Sequence, residues 1–270
     1  MAKNKFMPIS LVIVFILLAA GIASGGLIVS NAILEKEVAP GDHINHVINA
    51  QTRASDPPMD FIVDIYGYGQ SLDGGSIGLN ASQDTSPYTA RPFFNVSPQS
   101  FHLDPGKSQE VTLEGDIPKD AGSGGRYALV KIHSLPTGNG TVGFAVGAYI
   151  PIRLTISKSE VMDRGEIVNL SLEEPVLAAK QKASFIFKNT GNHHYGAKAE
   201  AILEDKEGKT AANASVHLGL PLIPGNSRLT EIDLIPKTPL KPGTYIMNTT
   251  VSTENGIALA TKEVSFEIKS

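Results

Sequence analysis

Pro105-Gly106-Lys107-Ser108, then Ile117-Pro118, then Gly125-Arg126-Tyr127 recur downstream as Pro224-Gly225-Asn226-Ser227, Ile235-Pro236 and Gly243-Thr244-Tyr245. The offset is 119 residues for the first element and 118 for the other two. Three separated elements that keep one spacing mark an internal repeat, and a unit of that length is the size of one β-sandwich domain. Each element has a mechanical reason. Pro-Gly makes a tight turn into a strand, Ile-Pro closes that strand by removing a ladder donor, and Gly-x-Tyr opens the next. A tyrosine near the start of the penultimate strand is where immunoglobulin-like sandwiches place a corner tyrosine, so Tyr127 and Tyr245 read as structural corners.

Outward from the repeat, short β-branched and aromatic runs alternate with Gly, Pro, Asn and Asp clusters every 8–12 residues. The pattern predicts strands over 44–50, 60–68, 110–117, 127–133, 141–156, 167–172, 183–189, 197–205, 215–218, 228–235, 244–253 and 262–268, with an irregular stretch over 86–100 that has room for a short helical turn. The fold class is all-β: two tandem immunoglobulin-like β-sandwiches behind an N-terminal hydrophobic signal or anchor helix. The expected boundaries are 1–32 for the leader, 33–157 for the first sandwich and 158–270 for the second.

The leader follows from Lys3 and Lys5 ahead of an uncharged stretch that runs to Leu34. A basic start and an apolar core make a secretory signal, with Ala23 and Gly25 or Ser30 and Ala32 suited to a peptidase; residues 9–29 are also long enough for a retained anchor. Either reading places the rest of the chain on the outer face of the membrane or in the medium. The C-terminus reads as a last strand, so attachment is expected from the N-terminal end alone. Six Asn-x-Ser/Thr sequons, at Asn80, Asn95, Asn139, Asn169, Asn213 and Asn248, exceed the about two that composition predicts by chance. Pro98 directly after Ser97 makes Asn95 the weakest of them, leaving Asn80, Asn139, Asn169, Asn213 and Asn248 as glycosylation candidates.

Among 270 residues there is no Cys, and the net charge is −4. That removes disulfides, thiolate nucleophiles and Cys-ligated metal, and mild acidity without a basic block disfavours nucleic acid. Catalytic signatures are also missing: there is no nucleophile elbow, Ser-x-x-Lys, Walker loop, zincin motif or dinucleotide fingerprint. His43 and His46, three apart on a strand, face opposite ways, and His193-His194 follow a turn signature that places them in a solvated loop. No catalytic residue, cofactor or metal site is assigned.

The turn Leu103-Asp-Pro-Gly-Lys-Ser108, the strand end Ile117-Pro-Lys-Asp120 and Gly124-Gly-Arg-Tyr127 together resemble the first immunoglobulin-like domain of surface proteins related to the WxL-interacting, peptidoglycan-binding family. The chain is also distantly similar to two-domain pilus chaperones. Phe185-x-Phe187-x-Asn189-Thr-Gly-Asn192 and Leu240-Lys-Pro-Gly-Thr-Tyr245 look like the partner domain of that arrangement. The surface family usually ends in a transmembrane helix and basic tail, which this sequence lacks.

One run sharpens the functional reading. From 142 to 156 every even position is apolar, and Pro151 has no amide hydrogen to give a neighbour. In pilus chaperones a comparable strand is the edge that templates a subunit, which makes Val142, Phe144, Val146, Ala148 and Ile150 a candidate partner-binding edge for strand addition. The competing explanation is an ordinary half-buried strand that continues as the connector to the second domain. The function expected is that of an exported, non-enzymatic binding or structural protein of the cell surface. The alternative is a pilus-chaperone-like assembly factor with an open edge and basic residues in its interdomain cleft. The expected partners are another envelope or surface protein, and the membrane if the leader is retained.

Overall fold

The computed structural model describes residues 26–136, 145–173 and 180–268. The chain forms two immunoglobulin-like β-sandwiches. The first contains β1 (Leu27–Ser30), β2 (Leu34–Val38), β3 (His43–Thr52), β4 (Met59–Gln70), β5 (Ser76–Leu79), a single 3-10 turn at Arg91–Phe93, β6 (Phe94–Ser97), β7 (Ser100–Leu103), β8 (Ser108–Asp116), β9 (Gly125–Ser134) and β10 (Gly147–Ile156). One sheet has the order β1-β3-β8-β6 and the other β2-β10-β9-β4-β5, with β7 also paired to β4. Period-two burial builds the core: Ile150, Ile152, Leu154 and Ile156 of β10 point inward with Ile48, Phe61, Val111, Leu113 and Ile132.

The second sandwich contains β11 (Gly165–Glu173), β12 (Gln181–Asn189), β13 (Ala197–Asp205), β14 (Thr210–His217), β15 (Ser227–Leu234), β16 (Gly243–Thr253) and β17 (Ala258–Ile268). Its sheets run β11-β12-β15 and β14-β13-β16-β17 around Phe185, Phe187, Leu203, Met247 and Val251. Gly106 and Gly225, the glycines of the repeated Pro-Gly pair, have φ of 71° and 77°. A side chain would strain both turns, which explains why the repeat keeps glycine there.

Two expectations need correction. The expected leader end at residue 32 overlaps the first sandwich, because Leu27–Ser30 pair with 49–52 of β3 and Leu27, Val29 and Ala32 pack on the core. The apolar residues of β1 merge with the leader in the sequence, hiding the boundary. Tyr127 is not a corner, because its buried hydroxyl sits 3.2 Å from His194 Nδ1 of the second sandwich. Tyr245 does turn back locally: its hydroxyl accepts from Lys241 N at 3.1 Å and donates to Lys241 O at 3.2 Å. No described helix is long and apolar enough to cross a membrane, and residues 1–25 of the expected leader lie outside the described residues.

Candidate functional site: a strand edge beside the domain junction

β10 is held on one side by β9 over its whole length. Val146 O accepts from Ser134 N at 2.8 Å, and Ile156 N donates to Gly124 O at 2.9 Å, so the even positions turn their backbone to β9 and the odd positions turn theirs away. On the far side β2 lies parallel and takes only Ile152 to Ile156. Among the described residues nothing pairs with that side of 147–151. Gly147 and Tyr149 therefore each offer an N–H and a C=O, and Pro151 a C=O alone. No charged residue occurs in this stretch.

Asn31 is what leaves the edge bare. A β2 extended backward from Leu34 would cover Pro151 and its neighbours, but Asn31 adopts φ 53° and turns the chain to the other sheet. Its Nδ2 donates to Val47 O at 3.2 Å, and its carbonyl meets His46 Nε2 at 2.9 Å. Left-handed backbone is tolerated best by Asn and Gly. Of the five residues proposed for the edge, Val142 and Phe144 lie outside the described residues. Val146 and Ala148 are half-buried against the rim of the core, and Ile150 is buried. Tyr149 is 40% exposed, with Lys131 Nζ 5.9 Å from its ring centroid.

The other end of β10 enters the junction between the sandwiches. Arg153 Nε donates to Glu35 Oε2 at 2.9 Å, a second guanidinium nitrogen reaches the same oxygen, and the two residues are register partners on β10 and β2. Across from them the second sandwich supplies His193 and His194, with ring centroids 4.4 Å apart. His194 Nε2 lies 3.5 Å from Glu35 Oε1. His193 Nε2 lies 3.0 Å from Thr155 Oγ1, and its Nδ1 3.7 Å from Asp163. This pair is not the solvated doublet expected from its turn signature, because the first sandwich covers it and His194 is buried.

Burial lowers the His194 pKa to about 4, helped by the neighbouring His193 and Arg153 and opposed by Glu35. Burial also lowers His193, against the pull of Asp163 and Glu35. For Glu35 burial acts upward, but the hydrogen bond and charge of Arg153, with His194, bring it below the ordinary carboxylate value. Burial pushes the Tyr127 phenol up. The imidazoles are thus held neutral beside a fixed ion pair, an arrangement suited to joining domains.

Four more hydrogen bonds lock the junction. Gln70 Nε2 donates to Pro221 O at 2.9 Å, Gln70 Oε1 accepts from Ile223 N at 2.9 Å, and Leu72 O accepts from Leu229 N at 2.8 Å. Gly125 N donates to Asn192 O at 2.7 Å. Two arginines here are already engaged, Arg126 with the carbonyls of Ala121, Ser123 and Gly125 and Arg153 with Glu35, while Arg228 gives one nitrogen to Leu218 O and keeps its buried Nε and Nη2 without a hydrogen-bond partner. The free basic cleft expected of an assembly factor is therefore not built from Arg126 or Arg153.

Asn80, Asn169, Asn213 and Asn248 are exposed, as is Asn95, while Asn139 lies outside the described residues. Among the described residues no three His, Asp or Glu are grouped to hold a metal. Glu35, Arg153, Asn31 and Gln70 escaped the sequence reading. Arg153 alone left a signal, as the one charge in an apolar strand.

No family model matches the chain, nor does any curated protein, so the resemblance to the WxL-interacting family is not carried forward. Solved structures with a similar fold include the class 5 fimbriae chaperone CfaA (10% identity, 91% of this chain and 100% of that one, TM-score 0.41). Others are the Escherichia coli chaperone DraB (14%, 91% and 98%, 0.39) and the Pseudomonas aeruginosa chaperone CupB2 (9%, 90% and 100%, 0.40). These identities speak to fold alone, and TM-scores below 0.5 support no argument about function.

Proposed function

We propose that the protein is an exported, non-enzymatic binding module that takes an extended segment of another envelope or surface protein as an added strand beside residues 147–151. The observation that carries this reading is the uncharged, unpaired side of β10, with half-buried Val146 just before it and Ala148 within it. Edges of this kind are normally protected, and one left bare fits a partner that pairs with it. The rigid junction behind it serves to fix the edge, since Glu35 and Arg153 fasten β2 to β10 where the open stretch ends. This favours the assembly-factor reading over that of a passive surface module.

The test combines a photo-crosslinker at Ala145, exposed just ahead of the open stretch, in the native envelope, with hydrogen exchange on the recovered complex. Capture should slow exchange at the Gly147 and Tyr149 amides, and the crosslink should map to an extended partner segment with alternating apolar residues. Tyr149→Pro removes one outward donor while leaving the β9 ladder intact, and should abolish the adduct; Tyr149→Phe should keep it. Unchanged exchange at both amides, or an adduct that survives Tyr149→Pro, would refute the proposal.

A further inference from the structure

Several sheet edges of this protein are protected by charge. β2 carries Glu35, Lys36 and Glu37, and β17 carries Lys262, Glu263 and Glu267. β15 carries Glu231 and Asp233, paired at 3.0 and 2.8 Å with Lys182 and Lys180. Charges along an edge deny it to a foreign strand, because pairing would bury them. Two edges of the second sandwich lack this protection. β14 has no Asp, Glu, Lys or Arg, and β11 has acidic residues only near its ends, at Glu166 and Glu173. Lys262 Nζ covers the Ile167 and Val168 carbonyls of β11 at 3.2 and 3.0 Å, but residues 169–172 carry no charge.

Each of these uncharged stretches carries a sequon at mid-strand, Asn169-Leu-Ser171 and Asn213-Ala-Ser215. Both Asn side chains are exposed, and among the described residues no hydrogen bond holds either carboxamide. In the first sandwich Asn80 stands one residue beyond the uncharged β5 and Asn95 lies within the uncharged β6, while the uncharged edge β1 has no sequon. The bare stretch 147–151 has neither a charge nor a sequon.

We propose that N-linked saccharides on Asn169 and Asn213 protect the uncharged edges of the second sandwich, standing where the other edges carry charge. The transfer joins the Asn carboxamide nitrogen to the anomeric carbon of a polyprenyl-diphosphate-linked saccharide. The bond from that carbon to the diphosphate oxygen breaks, and the polyprenyl diphosphate leaves with one amide proton released. A bulky hydrated group on an outward-facing edge residue fills the space that an added strand's side chains need. This inference rests on export of the chain but not on strand capture by β10.

The test begins with protein purified from its native envelope. Peptide mapping by mass spectrometry, with and without a glycosidase that leaves Asp at each modified Asn, should find both sites occupied. The Asn169→Gln/Asn213→Gln double variant should lose the monomer peak in size exclusion with light scattering, at a concentration where the native protein is monomeric. The Asn169→Lys/Asn213→Lys variant, which restores a charge without a saccharide, should regain it. Ser215→Ala, which removes a sequon but leaves Asn213 in place, should behave as Asn213→Gln does alone. Unmodified Asn169 and Asn213 in the native protein would overturn the proposal, as would Gln variants that stay monomeric or Lys variants that associate as the Gln variants do.

Discussion

Acidification should weaken this protein before its carboxylates titrate, through the buried imidazole pair and His194 above all. His194 faces Tyr127 from β9, Glu35 from β2, Arg153 from β10 and the ring of His193 beside it, with Asp163 behind His193. Its pKa falls from 6.5 to about 4, so the folded protein keeps it neutral where the unfolded chain would bind a proton. Stability is therefore fully present above pH 6.5, declines as the pH falls toward 4, and loses no more from this group below that. At roughly 1.4 kcal/mol per pH unit the whole effect is about 3 kcal/mol, of which about 2 kcal/mol is gone at pH 5.

Denaturant unfolding at pH 7, 6 and 5, on the native protein and on His194→Gln, isolates this effect. The amide cannot titrate and keeps a polar group in place, so the variant should lose some stability at pH 7 but show a pH 7-to-5 decline smaller by about 2 kcal/mol. Glu35 does not blur the window. Its pKa is lowered, so its contribution is present above the ordinary carboxylate value and is lost only at more acidic pH. Parallel declines in the two proteins between pH 7 and pH 5 would show that His194 is not the group that titrates, and the reasoning from burial would fail.

Three substitutions probe the rest of the framework. Gln70→Ala leaves the Pro221 carbonyl and Ile223 amide without partners inside the junction and should cost about 1–3 kcal/mol, seen as a lower thermal midpoint and faster protease cleavage between the sandwiches. Tyr245→Phe removes both hydrogen bonds to Lys241 and should cost about 1 kcal/mol in denaturant unfolding, with no change at the junction. Gly165→Ala places a methyl group against the buried Phe187 ring; overpacking should cost about 1–3 kcal/mol, and the paired change Gly165→Ala/Phe187→Leu should recover part of it.

The sandwich architecture was legible because half-burial writes itself into a strand at period two, and because the Pro-Gly turns need positive φ at Gly106 and Gly225. Tyr127 and Tyr245 mark the limit of that legibility. They occupy equivalent places in the repeat, yet one hydroxyl turns back to Lys241 and the other crosses to His194. The difference depends on what covers each sandwich, and no local pattern encodes that. Glu35, Tyr127, Arg153 and His194 meet only because the second sandwich lies against the first. The turn signature Asn189-Thr-Gly-Asn192 correctly marks a loop but does not tell whether the loop meets water or another domain. The start of β1 was hidden for another reason, since its apolar residues continue the composition of the leader.

The edge and the junction are two ends of one piece of covalent geometry. β10 is ten residues long, and its last five are claimed by β2 through pairs that include Arg153 with Glu35. Its first five stay open because Asn31 turns the chain away, held by Val47 and His46 of β3. The length of the exposed ladder is therefore set by two local devices, a left-handed asparagine above it and an ion pair below it. Neither is part of the surface a partner would touch. Because Glu35 also meets His194, the device that closes the lower half of the edge is shared with the contact that joins the domains. β2 itself stays fixed by its ladder to β10 and by Leu34 and Val38 in the core of the first sandwich, so the open ladder keeps its length whatever the second sandwich does.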